Sequence, residues 1–133
     1  MPDVLGAARL IGFIGSADLE RSRAFYEEAL GLELIEQDDF ACVFSAHGTM
    51  LRVTAVPEVV RAGYTVLGWD VPDIRESVRA LKANGVSFRR YTDMGMRQDE
   101  DDVWTAPNDD LVAWFTDPDG HVLSLTQFTT AER

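Results

Sequence analysis

Two stretches of this chain follow one plan, and that doubling limits the available folds more than any other feature. In the first stretch an apolar run over residues 10–14 leads to Ser16-Ala17-Asp18, which offers a helix N-cap. Apolar residues Leu19, Phe25, Tyr26, Ala29 and Leu30 then recur at helical spacing, and Gly31 stands where a C′ residue belongs. The spacing predicts one helix over 19–30. Short strands are expected at 33–37, 40–45 and 49–56, broken at Asp38-Asp39 and His47-Gly48. Residues 57–63 read as a linker.

The second stretch repeats the order. A strand over 64–71 leads through Pro72-Asp73 to a helix over 74–84, which carries Ile74, Val78 and Leu81 on one face and stops at Gly85. Strands at 86–91, 103–105, 111–115 and 122–128 follow, with Asp117-Pro118-Asp119-Gly120 as a strong turn signal. Asp18 matches Asp73 at a spacing of 55 and Gly31 matches Gly85 at 54. A βαβββ unit used twice, with one extra short strand in the second copy, accounts for the pattern. The 133 residues then form a single α+β domain: repeat one about 10–56, the linker, and repeat two about 64–128.

Composition removes several function classes. At 46% hydrophobic residues a real core is available, and no apolar run approaches the roughly 20 residues of a membrane span. Twelve Lys and Arg against 23 Asp and Glu give a net charge of −11, which disfavours nucleic acid and anionic membrane surfaces as partners. Met1-Pro2-Asp3 lacks the basic-then-apolar layout of a secretory signal, and the lone Cys42 has no disulfide partner in the chain. A cytoplasmic location is therefore expected.

The residues 18–26, Asp-Leu-Glu-Arg-Ser-Arg-Ala-Phe-Tyr, ending in Leu30-Gly31-Leu32, resemble the first helix of the glyoxalase / bleomycin-resistance / extradiol-dioxygenase superfamily, also called the vicinal oxygen chelate superfamily. The segment 115–123, Phe-Thr-Asp-Pro-Asp-Gly-His-Val-Leu, is similar to that superfamily's closing hairpin. The resemblance implies a curved mixed sheet with a concave ligand cup and helices on its convex side. It implies little about the reaction, since the superfamily spans lyases, isomerases, dioxygenases, epimerases and non-catalytic drug binders. It also implies a homodimer, with cups formed within one chain or across two.

In metal-dependent relatives four ligands come from the first strand and from the position four residues past the closing-hairpin glycine of each repeat. Those positions here hold Ile11, Arg52, Val66 and Ser124, none a usual ligand for a divalent ion. No metal and no other cofactor is expected. The histidines, His47 and His121, sit at hairpin tips and read as exposed turn residues.

Alternation over 50–54 turns Leu51 and Val53 toward the helices and Arg52 into the cup, where a guanidinium can clamp a carboxylate or phosphate. An Arg paired with Asp70, or one reaching out of an open mouth, is the competing reading. The same alternation places Ile11, Phe13, Val66, Gly68, Asp70, Ser124 and Thr126 on the cup face, with Trp104 and Trp114 as candidate walls and Trp69 on the helix side. The acids Asp99-Glu100-Asp101-Asp102, in a loop that also holds Asp93, read as a solvated run rather than a cation site. Cys42 reads as a buried, inert thiol.

The leading expectation is a metal-independent protein that holds a small organic ligand or drug, with any acidic group on Arg52. A metal-free enzyme in which Arg52 polarises a carbonyl and Asp70 acts as base ranks second. A metal-dependent lyase or dioxygenase with displaced ligands ranks third.

Overall fold

A computed structural model describes residues 4–130 of the chain. Two compact units meet in sequence between Val60 and Arg61. The first contains β1 (Ile11–Ser16), α1 (Leu19–Arg23), β2 (Glu33–Gln37), β3 (Ala41–Ala46) and β4 (Thr49–Ala55). Its strands lie in the order β1-β4-β3-β2, with β1 parallel to β4 and the other pairs antiparallel. Asp18 caps α1 by accepting the Arg21 N–H at 3.2 Å, as the sequence predicts.

The expected single helix over 19–30 changes character halfway. From Ala24 to Ala29 it widens to a π-helix, and the Leu30 N–H donates to the Phe25 carbonyl five residues back. The widened turn carries Tyr26 into full burial, edge-on to Phe25 and 5.8 Å from the Phe44 ring. Around them Ile14, Cys42, Leu51 and Val53 complete the core on the helix side of this sheet. Over so short a stretch, apolar spacing does not separate an α-turn from a π-turn. The turn closes at Gly31, whose φ of +79° is a left-handed geometry that strains any residue with a Cβ.

The second unit contains β5 (Thr65–Asp70), α2 (Ile74–Ala83), β6 (Phe88–Arg89), β7 (Trp104–Thr105), β8 (Leu111–Thr116) and β9 (Val122–Gln127). Again the first strand runs parallel to the last, in the order β5-β9-β8. The fold is thus α+β, with a βαβββ repeat used twice and a mixed sheet in each unit. The α2 cap repeats that of α1, with Asp73 accepting the Glu76 N–H. Ile74 and Val78 of α2 bury against Phe115, Leu123 and Leu125 of the sheet.

The extra strand of the second repeat has a simple origin. β6 pairs Phe88 and Arg89 with Phe115 and Trp114, while β7 pairs Trp104 and Thr105 with Val112 and Leu111. Both pieces lie along one edge of β8, so a single edge strand is split by an excursion over residues 90–103. The strand expected over 86–91 is accordingly cut to two residues.

Gln98 closes the base of that excursion. Its side chain is 9% exposed, accepts the Tyr91 N–H at 2.6 Å, and donates to the Arg89 and Asp102 carbonyls at 2.8 Å each. The acidic run that follows is not merely solvated, contrary to the sequence reading. Asp99 pairs with Arg75 at 2.6 Å, Asp101 with Arg79 at 2.9 Å, and Asp102 with Lys82 at 2.7 Å and with Arg90. The spacing of Arg75, Arg79 and Lys82 on successive turns of α2 meets these acids in sequence order. Among the described residues no helix is long and apolar enough to cross a membrane.

Candidate functional site

Each sheet covers one face with its helix, and the other face carries the residues singled out from sequence. In the first unit the register sets Phe13 beside Arg52 and Ile11 beside Met50. Arg52 lies next to Val43 on the opposite neighbour, and Leu51 and Val53 are buried on the helix side, as alternation requires. Phe13 is 64% exposed and Ile11 42%, so this face presents apolar surface around one guanidinium. The Arg52 charge also acts on Asp38, whose carboxyl is held below its usual range chiefly by the amides of Phe40 and Ala41.

In the second unit Gly68, Asp70, Trp114, Ser124 and Thr126 share the face away from α2. The pairs Gly68–Ser124, Asp70–Thr126 and Trp114–Ser124 establish this. A Cβ on Gly68 would stand 3.0 Å from Ser124 Oγ, so the glycine leaves room for that hydroxyl. Trp69 lies on the helix side, stacked 6.3 Å from Phe115, as expected. Val66 is exposed like Gly68 and Asp70, while Thr65, Leu67 and Trp69 between them are more covered, so alternation along β5 holds. A bulge falls between Thr65 and Leu67, so Val66 has no partner on β9, and Thr65 instead sits opposite Val122.

Trp104 and Trp114 come together on this face with ring centroids 5.9 Å apart. Tyr91 meets Trp114 edge-on at 5.3 Å and 88°. Here the excursion turns Tyr91, Met94 and Met96 toward the sheet, and they enclose a cleft of about 230 Å³ with Gly63, Tyr64, Thr65, Trp114 and Val122. The sequence reading missed Tyr91, Met94 and Met96. Their only signal was an aromatic residue and two methionines within a loop of otherwise polar composition. A groove of similar size in the first unit is lined by Glu20, Arg23, Ala24, Glu27 and Glu28, a charged helix face with no apolar wall.

The positions at which the resemblance implies metal ligands do not fit a divalent ion. Ile11 and Val66 offer hydrocarbon, Arg52 a fixed positive charge, and Ser124 a neutral hydroxyl against Gly68. Among the described residues no three His, Cys, Asp or Glu side chains gather where they could hold a metal. His121 is buried rather than exposed, in a turn where the Asp117 carboxylate accepts the N–H groups of Asp119 and His121. His47 is exposed, at a φ of +50°. Cys42 is fully buried with its Sγ toward the Leu19 carbonyl, and burial pushes its thiol pKa up.

A family model described as Glyoxalase/Bleomycin resistance protein/Dioxygenase superfamily matches residues 11–125. Solved structures share the fold. A bleomycin resistance determinant encoded on the transposon Tn5 is 22% identical with a TM-score of 0.70, covering 93% of this chain and all of its own. A glyoxalase/bleomycin resistance protein/dioxygenase from Alicyclobacillus acidocaldarius is 15% identical with a TM-score of 0.69, covering 96% of each chain. A lactoylglutathione lyase from Agrobacterium tumefaciens is 16% identical with a TM-score of 0.67, covering 91% of this chain and 93% of its own. At these identities the likeness establishes architecture alone.

Proposed function

Because the chain belongs to the glyoxalase/bleomycin resistance protein/dioxygenase superfamily, we propose that it is a metal-independent binding protein for a small organic molecule. The observation that carries this reading is the cleft floored by Trp114 and walled by Tyr91, Met94 and Met96. Aromatic rings and methionines present polarizable surface with few polar groups, which suits a flat unsaturated ligand. The ligand-binding set on the open faces is Ile11, Phe13 and Arg52 in one unit, and Val66, Gly68, Asp70, Trp104, Trp114 and Ser124 in the other. Arg52 supports a ligand bearing an acidic group. The hydrocarbon of Ile11 and Val66, the charge of Arg52 and the neutral hydroxyl of Ser124 at the four expected ligand positions support binding without metal. A homodimer fits this reading, and its mass is a separate measurement.

Elemental analysis tests the metal half of the reading. After exposure to manganese, iron, cobalt, nickel and zinc and removal of the excess, less than about a tenth of an equivalent of each should remain. Close to one equivalent of a single metal would overturn it. A thermal-shift screen of flat aromatic compounds tests the binding half. Hits should raise the melting temperature of the native chain, and Trp114→Ala should weaken them by at least about tenfold. Hits indifferent to Trp114→Ala would place binding elsewhere.

A further inference from the structure

The residues that line the cleft in the second unit are all uncharged, yet a cation stands at its rim. Arg89 pairs with Trp114 across β6 and β8, so the two side chains share the face away from α2. Its guanidinium carbon lies 5.8 Å from the centroid of the Tyr91 ring, and Tyr91 is a wall of the cleft. Arg89 is exposed, but its main chain is fixed by the β8 pairing and by the hydrogen bond from Gln98 to its carbonyl. The cations of α2 and Arg90 differ from it. Arg75, Arg79, Lys82 and Arg90 are each neutralised by an acid of the run 99–102. Among the described residues no carboxylate pairs with Arg89.

We propose that Arg89 and this cleft form a site for a planar aromatic carboxylate, an assignment that rests on the binding reading above. The ring lies against Trp114 between Tyr91 and the two methionines, and the carboxylate meets the guanidinium at the rim. A planar two-oxygen acid matches the guanidinium fork, which a lysine would meet only as a point charge. The cleft volume, about 230 Å³, lies below the ~300–1,000 Å³ of drug-sized pockets, so it suits a one- or two-ring compound. Arg89 is then the residue that selects acid over neutral isostere, while Trp114 supplies affinity common to both.

The test titrates two compounds of the same shape, naphthalene-2-carboxylate and naphthalene-2-carboxamide, against the native chain by tryptophan fluorescence and calorimetry. The carboxylate should bind about tenfold more tightly, the effect of one charge-assisted contact at a partly exposed site. In Arg89→Gln that preference should fall to within about twofold while the carboxamide affinity stays as it was, and Arg89→Lys should restore part of it. A preference that survives Arg89→Gln, or its absence from the native chain, overturns the role of Arg89 and leaves the cleft standing. Failure of both compounds to bind overturns the cleft and Arg89 together.

Discussion

Replacing Gln98 by alanine removes three hydrogen bonds at once, and their burial decides how much each loss costs. The amide satisfies the Tyr91 N–H and the Arg89 and Asp102 carbonyls, and only the Asp102 bond is wholly buried. A typical bond contributes about 0.5–1.5 kcal/mol net, and the two partly exposed groups can turn to water after truncation. The summed loss should be about 2–3 kcal/mol, which lowers the melting temperature by roughly 6–12 °C for a chain of this size. Urea denaturation followed by far-ultraviolet circular dichroism and by tryptophan fluorescence measures it. Gln98→Glu provides the sharper comparison. The carboxylate still accepts from Tyr91 but faces two carbonyl oxygens it cannot donate to, so it should be less stable than the alanine variant. A loss below about 0.5 kcal/mol in Gln98→Ala, or a glutamate variant more stable than it, would refute the assignment of this side chain as the anchor of the excursion.

Two further outcomes follow from the buried and paired groups. Cys42 should resist thiol reagents in the native protein at mildly alkaline pH and react at once in denaturant, because burial raises its pKa; prompt labelling of the native chain would contradict that. Burial raises the Asp99 carboxyl, but the Arg75 hydrogen bond and the amides of Val103 and Asp101 outweigh it, leaving its pKa below the ordinary 3.8. A depressed folded pKa gives stability that is present above 3.8 and lost as the pH falls through the lower value, so acidification below pH 3.8 should loosen the excursion. Asp99→Asn should flatten that loss in a melting-temperature series, and an unchanged slope would sink the argument.

The repeat was legible because its punctuation is local. Asp18 and Asp73 cap, and Gly31 and Gly85 stop, with side chains or φ values that each position needs for itself. The face assignment of Arg52, Gly68, Ser124 and Trp114 was legible for a similar reason, since alternation holds wherever the ladder is regular. It does not foretell the bulge at Val66, which interrupts the pairing with β9 while Val66 stays exposed in phase with Gly68 and Asp70. The burial of His121 was hidden because a turn motif reads the same whether or not its side chains are enclosed. The cleft was the least legible part. Tyr91, Met94 and Met96 reach Trp114 only because Gln98 and the acids at 99–102 fold the excursion back, and those contacts span residues without any periodic signal.

The split edge strand has a consequence for how such chains diverge. In each unit the parallel pairing of first strand with last closes a long loop: 39 residues separate Ile11 from Met50, and 57 separate Thr65 from Val122. Closure entropy grows only with the logarithm of that separation, so the longer second loop costs only about 0.3 kcal/mol more than the first. An excursion that leaves and rejoins the rim of β8 therefore adds little to the cost of closing that loop and leaves the inner ladders untouched. Its length and sequence can vary to reshape one wall of a cleft while the repeat beneath keeps its register.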